Sequence, residues 1–272
     1  AAAAAAGSKD ATAGFNKAQA LNALGNVLAD YKRVRANFDI LVITPDDLVP
    51  LLTEANTPAR AHLVAAWNKA LVALAADNSI STTDRLTALD GQVVLAKLDL
   101  AKDQTLPDPL LQRVRGAVAA ADQATTNGYE RQSVISQASD DLVRAGLLDE
   151  SDALLKAELT RSHAPYYFML GLAANAKTRG DNTAALNWYE QAWTAAEGPA
   201  TRLQWGVSYL NNLINLDPAQ DAKVQQVASS VIKEAGATPN AFYERSQRSL
   251  QRLATGLAKW NADKQHQPRS IH

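Results

Sequence analysis

Four histidines and three acid clusters are the residues whose chemistry could serve catalysis or metal binding. His62, His163, His266 and His272 stand apart in the chain, and no His-Glu-x-x-His or other paired ligand spacing joins them. Asp46/Asp47, Asp140/Asp141 and Asp149/Glu150/Asp152 are paired carboxylates of the kind that general acid–base chemistry uses. Each is expected to precede or begin a helix, where carboxylates cap free amides and suit the positive end of the dipole. The 272 residues contain no cysteine, which excludes thiolate nucleophiles, thiolate metal sites and disulfides. The run "GLAANAKTRG" has its glycines on either side of a helix rather than at a strand-to-helix phosphate turn. Gly206-Val-Ser208 lacks the second glycine of a nucleophile elbow. The expectation is a chain that is not itself an enzyme and has no cofactor or metal.

The remaining candidate is aromatic: Tyr166, Tyr167, Phe168, Trp188, Tyr189, Trp193, Trp205 and Tyr209. Such side chains dominate core energetics, so they can be packing between helices. The other reading is that a subset lines a concave groove. In that case one helix would expose Tyr167, Leu170, Ala174 and Lys177, and the next Gln204, Ser208, Asn211 and Asn212. The candidate partner-binding residues are therefore Tyr167, Lys177, Gln204, Ser208, Asn211 and Asn212, a set suited to an extended peptide backbone or a carboxylate.

The elements that would position these residues are helices. Phe15, Ala18, Leu21, Leu24, Leu28 and Tyr31 recur at three- and four-residue steps, the spacing of one helix face. Thr44-Pro45-Asp46-Asp47, Thr57-Pro58, Ser81-Thr-Thr-Asp84 and Asp108-Pro109 are helix starts. Beyond Asn127-Gly128 about seven more helices are separated by Gly146, Ala164-Pro165, Gly180-Asp181, Gly198-Pro199, Asp217-Pro218 and Gly236–Pro239. Only "FDILVI" at 38–43 is strand-like, and it could equally enter a helix. The fold class is all-α.

The interval from Gly146 to Gly180 equals that from Pro165 to Pro199, and both match the tetratricopeptide period of roughly 34 residues. Ala173, Ala176, Gly180, Ala185, Tyr189, Ala192 and Pro199 fit that repeat: small residues for close helix approach, Gly for the turn, Tyr to fill the gap. In the preceding unit Ala153 and Ala157 sit two positions late, implying a longer turn. The following unit has a plausible first helix and then diverges. The architecture expected is antiparallel helical hairpins stacked as an irregular, tetratricopeptide-like α-solenoid. Residues 1–8 are expected to be a tag-and-linker remnant, 9–127 an irregular helical array, 128–262 the tetratricopeptide-like region and 263–272 a polar tail.

A net charge of −1, with 47% hydrophobic and 20% charged residues, argues against a nucleic-acid or anionic-membrane surface. No apolar run approaches the ~20 residues a bilayer span needs.

The blocks "GYERQSVISQASDDLVRAGLLDESDALLKAELTRSHAPYYFMLGLAANAKTRGDNTAALNWYEQAWTAAEGPATRLQWG" and "AFYERSQRSLQRLATGLAKW" resemble the C-terminal helical region of bacterial thioredoxin-family, disulfide-isomerase-like proteins. The similarity is one of running sequence, strongest over 128–260. The family's Cys-x-x-Cys and cis-proline loop have no counterpart here. The resemblance implies a periplasmic accessory or client-binding region, with protein or peptide clients, an attached thioredoxin domain and a possible homo-oligomer as partners. The alternative is a structural spacer or oligomerisation scaffold.

Overall fold

The computed structural model describes residues 16–101, 104–238 and 241–263. Phe15, Pro239, His266, His272 and the terminal segments 1–8 and 264–272 lie outside the described residues. Helices account for 79% of the described residues, and no strand occurs among them. In order they are α1 Lys17–Leu28, α2 Tyr31–Ala36, α3 Phe38–Ile43, α4 Pro45–Leu52, α5 Pro58–Ala75, α6 Thr82–Lys97 and α7 Asp108–Ala124. There follow α8 Gly128–Arg144, α9 Leu148–Glu158, α10 Tyr166–Thr178, α11 Asn182–Ala195, α12 Pro199–Leu216, α13 Asp221–Ala237 and α14 Glu244–Asp263. The ambiguous run 38–43 is helix α3.

The chain divides into two compact units. One gathers the residues up to Ala124 with Asp140–Gly146; the other gathers Thr125–Ser139 with the residues from Leu147 onward.

The first unit is built on α5 and α6, against which the short helices α2–α4 pack. Trp67 of α5 is fully buried, and its indole N–H donates to the Leu41 carbonyl of α3 at 2.9 Å. One side chain thus fills the core and satisfies a backbone oxygen of a short neighbouring helix. Gly91 lets α6 approach α5 closely, since a Cβ there would stand 3.0 Å from Leu71 Cδ1. Two of the helix starts use their hydroxyl as a cap: Thr57 Oγ1 accepts from Arg60 N at 3.3 Å, and Ser81 Oγ from Asp84 N at 3.0 Å. Thr44 differs from expectation. Its hydroxyl donates back to Ile40 O at 2.8 Å, because α3 ends where α4 begins and its last carbonyls need a donor.

In the second unit each helix from α9 to α13 packs on the next, and α14 returns onto α12. Short glycine turns set the hairpins. Gly180 has φ +78°, and around it Asp181 N donates to Ala176 O and Gly180 N to Lys177 O, both at 3.0 Å. These two bonds close α10 as a Schellman motif. Asp181 then starts α11 by accepting from Ala184 N at 2.9 Å, so two adjacent residues end one helix and begin the next. Gly146, one repeat period earlier, has φ +85°.

Between the helices of the α10/α11 hairpin, Ala173, Ala176, Ala185 and Ala192 are all buried, and Tyr189 is half-buried against the core shared with α12 and α13. The preceding hairpin holds the same register without slippage. Ser139, Ser151, Leu155 and Glu158 stand one full period before Ala173, Ala185, Tyr189 and Ala192, and all four are buried. Ala153 and Ala157, expected to be the inward small residues, are instead exposed. The inward positions are disguised in the sequence because they are mostly polar. Ser139 and Ser151 hydrogen-bond across the seam at 2.8 Å. Glu158, 1% exposed, is gripped by Arg131 through two bonds: Nε to Oε2 at 3.1 Å and Nη2 to Oε1 at 2.5 Å. A buried carboxylate is tolerated only with such a partner, because its desolvation cost is several kcal/mol.

Gly206 of α12 tests the packing at the next seam. A Cβ there would lie 2.8 Å from Trp193 Nε1 and 3.0 Å from Val231 Cγ2. Alanine in a helix normally gains up to about 1 kcal/mol over glycine. Here overpacking against a rigid indole typically costs about 1–3 kcal/mol, so Gly206→Ala is expected to destabilise on balance. Tyr189→Ala should lower stability by about 3 kcal/mol, the lower end for a large aromatic because the ring is only half-buried. Urea unfolding of both variants checks these outcomes, and an unchanged midpoint for Tyr189→Ala would show that the ring is not part of the seam.

Candidate partner-binding face

On α10 the exposed stripe runs through Tyr167, Ala174 and Lys177, with Leu170 half-buried between them. These residues are spaced three or four apart, so they share one helix face while Phe168, Leu172, Ala173 and Ala176 face inward. Tyr167 is 43% exposed, and its ring stands edge-on to Trp205 of α12 with centroids 5.5 Å apart. The Trp205 indole nitrogen is buried and has no hydrogen-bond partner among the described residues. Tyr166 is packed beside Tyr167, with centroids 4.9 Å apart. Burial raises the Tyr166 phenol pKa, with smaller contributions from Tyr167 and Glu197.

The polar candidates fall into two groups. Lys177 Nζ donates to Asn212 Oδ1 at 3.2 Å, and Asn212 Nδ2 donates to Ser208 O at 2.9 Å, so Lys177, Asn212 and the Ser208 backbone form one chain across α10 and α12. Gln204 and Asn211 belong to the other group, turned toward α14. Gln204 lines a small crevice with Ser246, Ser249 and Leu250, and Asn211 Oδ1 would be 3.6 Å from a Cβ built on Gly256. No sequence signal points to α14 as a cover for that end of α12. Its amphipathic pattern is visible, with Leu250, Leu253, Leu257 and Trp260 on one face, but the helix it would cover is not.

The three tryptophans outside the repeat pattern all pack. Trp188 lies against the cluster of Ile135, Leu155, Phe168 and Leu172. Trp193 fills the space above Gly206 and donates its N–H to Glu234 Oε2 at 3.2 Å. Trp205 lies against Ala164, Tyr166, Ala192 and Ala196. Tyr209 is buried beside Trp193, and burial together with the Glu190 carboxylate pushes its phenol strongly upward.

Among the described residues no group of three or more His, Cys, Asp or Glu side chains could hold a metal ion. His62 and His163 are exposed. Asp46/Asp47 and Asp149/Glu150 occupy the first turns of α4 and α9. Asp140 and Asp141 do not begin a helix; they lie near the C-terminal end of α8, and Asp141 is fully buried. The helix runs on through Ser139 although the inward register there is polar, and that polarity hides the continuity from hydrophobic patterning.

Asp90 of α6 is a further buried acid, with Arg144 Nε 2.5 Å from its Oδ1. Burial raises its pKa and Arg144 only partly offsets this. A raised carboxylate pKa means the folded state holds the proton more tightly than the unfolded chain. Between the unfolded value of about 3.9 and the raised folded value, Asp90 therefore contributes stability that fades as pH rises. Asp90→Asn mimics the protonated form. The variant's stability relative to the parent should thus be more favourable at pH 7.5 than at pH 4.5, measured by urea midpoints, and the opposite ordering would contradict the burial effect.

No protein-family model, no curated protein and no solved structure matches the chain.

Proposed function

We propose that the chain is a non-catalytic helical module that binds protein or peptide partners through the face formed by α10 and α12. The observation that carries this is the pairing of an exposed Tyr167 ring with a Trp205 N–H that lacks an acceptor among the described residues. A donor left without a partner costs about 1–3 kcal/mol, and a peptide carbonyl that displaces the exposed Tyr167 ring and reaches the indole would relieve it. Amphipathic aromatics of this kind are the usual anchors of protein interfaces. Lys177 and Asn212 extend the face and can exchange their mutual hydrogen bond for one to a bound backbone or carboxylate. The matching register of successive hairpins supports a tetratricopeptide-like arrangement, with α14 covering the Gln204 and Asn211 end. In this reading the module serves an attached thioredoxin-fold disulfide-exchange domain in the periplasm, a placement that rests on the running-sequence resemblance.

The cover provided by α14 also favours a second reading, a spacer or oligomerisation scaffold in which the remaining face is too small for a client. Calorimetric titration with reduced, carboxymethylated lactalbumin as an unfolded client separates the two. The binding reading expects saturable binding, weakened about tenfold by Tyr167→Ala and by Trp205→Phe, which keeps a ring but deletes the donor. Absence of binding together with concentration-dependent self-association in sedimentation velocity would establish the scaffold instead.

A further inference from the structure

The first unit contains an open cavity of about 450 Å³ bounded by the C-terminal end of α5, the face of α6 and one side of α7. That volume falls within the range of sites for small organic molecules, roughly 300–1,000 Å³. Its walls are apolar. Val72, Leu86 and Leu89 supply two of them, and Ala117, Ala120, Ala121 and Ala124 of α7 supply the third. Those alanines fall at i, i+3, i+4 and i+7, so one face of α7 presents only methyl groups where larger side chains would fill the space.

The polar boundary of the cavity shows what it is built for. Gln92 is 2% exposed and lines it. Its Oε1 accepts from Arg113 Nη1 at 2.7 Å. A guanidinium can only donate, so this bond fixes which end of the amide faces Arg113. The Nε2 group is left buried with no partner among the described residues. Arg85, two turns earlier on the same helix face and roughly 10 Å away along it, also lines the cavity. Its Nη1 donates to Asn78 Oδ1 at 2.6 Å and its Nη2 to Thr82 Oγ1 at 3.1 Å, yet its buried Nε has no partner among the described residues. Among the described residues the unmet groups lining it are therefore both donors, two of the polar residues are cations, and no carboxylate lines the walls. An occupant must bring acceptors, negative charge and an apolar body.

We propose that this cavity is a binding site for a small amphipathic carboxylate. The carboxylate meets the exposed Arg113 guanidinium, and a rotation of the Gln92 side chain presents Nε2 to it, while the apolar chain lies along Leu89, Leu86 and the α7 alanines. The site is independent of the partner-binding face, so either can fail without the other.

Isothermal titration calorimetry of the full chain with decanoate, and separately with decanol and decylamine, tests the assignment. Saturable decanoate binding is expected, with decanol at least about tenfold weaker and decylamine weaker still, because charge-assisted hydrogen bonds are the stronger kind. Gln92→Leu and Arg113→Met should each weaken decanoate about tenfold or more while leaving decanol unchanged or improved. Ala120→Phe, which fills the cavity from an exposed position on α7, should abolish binding of both. Arg113 is also exposed, so Arg113→Met decides the matter if Gln92→Leu does not fold by thermal melting. Equal affinity for decanoate and decanol, indifference to Arg113→Met, or no binding of any of the three ligands would overturn the proposal.

Discussion

The close approach of α10 and α11 is the contact on which the second unit depends. Four alanines at the seam let two backbones come near enough for larger residues to be placed elsewhere, and those larger residues then define what each helix meets next. Phe168 and Leu172 turn to the α9 side, while Leu186, Tyr189 and Trp193 turn to α12 and α13. The Schellman glycine at 180 keeps the hairpin tight enough for the seam to close. Enlarging any one alanine would separate the helices and loosen both flanking clusters together, since interiors at crystal-like density have little slack.

The seam between α8 and α9 is built differently. Ser139 and Ser151 replace the alanines at similar volume, but each brings a hydroxyl that must be satisfied, and they satisfy one another. Asn175 then joins from α10 through its Nδ2, to Ser151 Oγ at 2.9 Å and to Asp152 Oδ1 at 2.8 Å. The Glu158–Arg131 pair occupies the place of a buried methyl group. Against an apolar alternative such a network gains little stability, because desolvation offsets the attraction. What it does impose is register: a shift of α9 by one residue would break the two bonds between Glu158 and Arg131 and leave Glu158 with only the longer contact to Arg161 at 3.4 Å.

This contrast explains which parts of the structure are legible in the sequence. Helices are visible because their caps and turns are local: Thr57, Ser81, Gly180 with Asp181, and Pro199 each act within a few residues. The α10/α11 hairpin is visible because its inward positions are alanine. The α8/α9 pair reads two positions out of place, since hydrophobic patterning favours Ala153 and Ala157 over Ser151 and Glu158. Burial of the latter depends on partners such as Arg131, 27 residues from Glu158. On the candidate face, the α10 stripe through Tyr167 and Lys177 follows from helical spacing alone. The division of α12 between Asn212 and Asn211 does not. It is set by α14, well beyond the intervening α13, and helical periodicity carries no information about which face a distant helix will cover.

The two candidate binding regions share a physical character that composition conceals. A net charge of −1 suggests no preference for ligand sign. Locally, the groups without a partner among the described residues are N–H donors at both places: the Trp205 indole on one face, and Gln92 Nε2 with Arg85 Nε beside the cavity. An indole can only donate, a guanidinium can only donate, and the Gln92 amide is oriented by Arg113 so that its donors remain free. Acids are present elsewhere in each unit, but they are committed: Glu158 to Arg131, Asp90 to Arg144, Glu190 to Lys223 and Glu234 to Arg202. At these two places, though not throughout the fold, the unmet groups are hydrogen-bond donors. Both proposals rest on this local chemistry, which complements ligands that bring acceptors, whether peptide carbonyls or carboxylates.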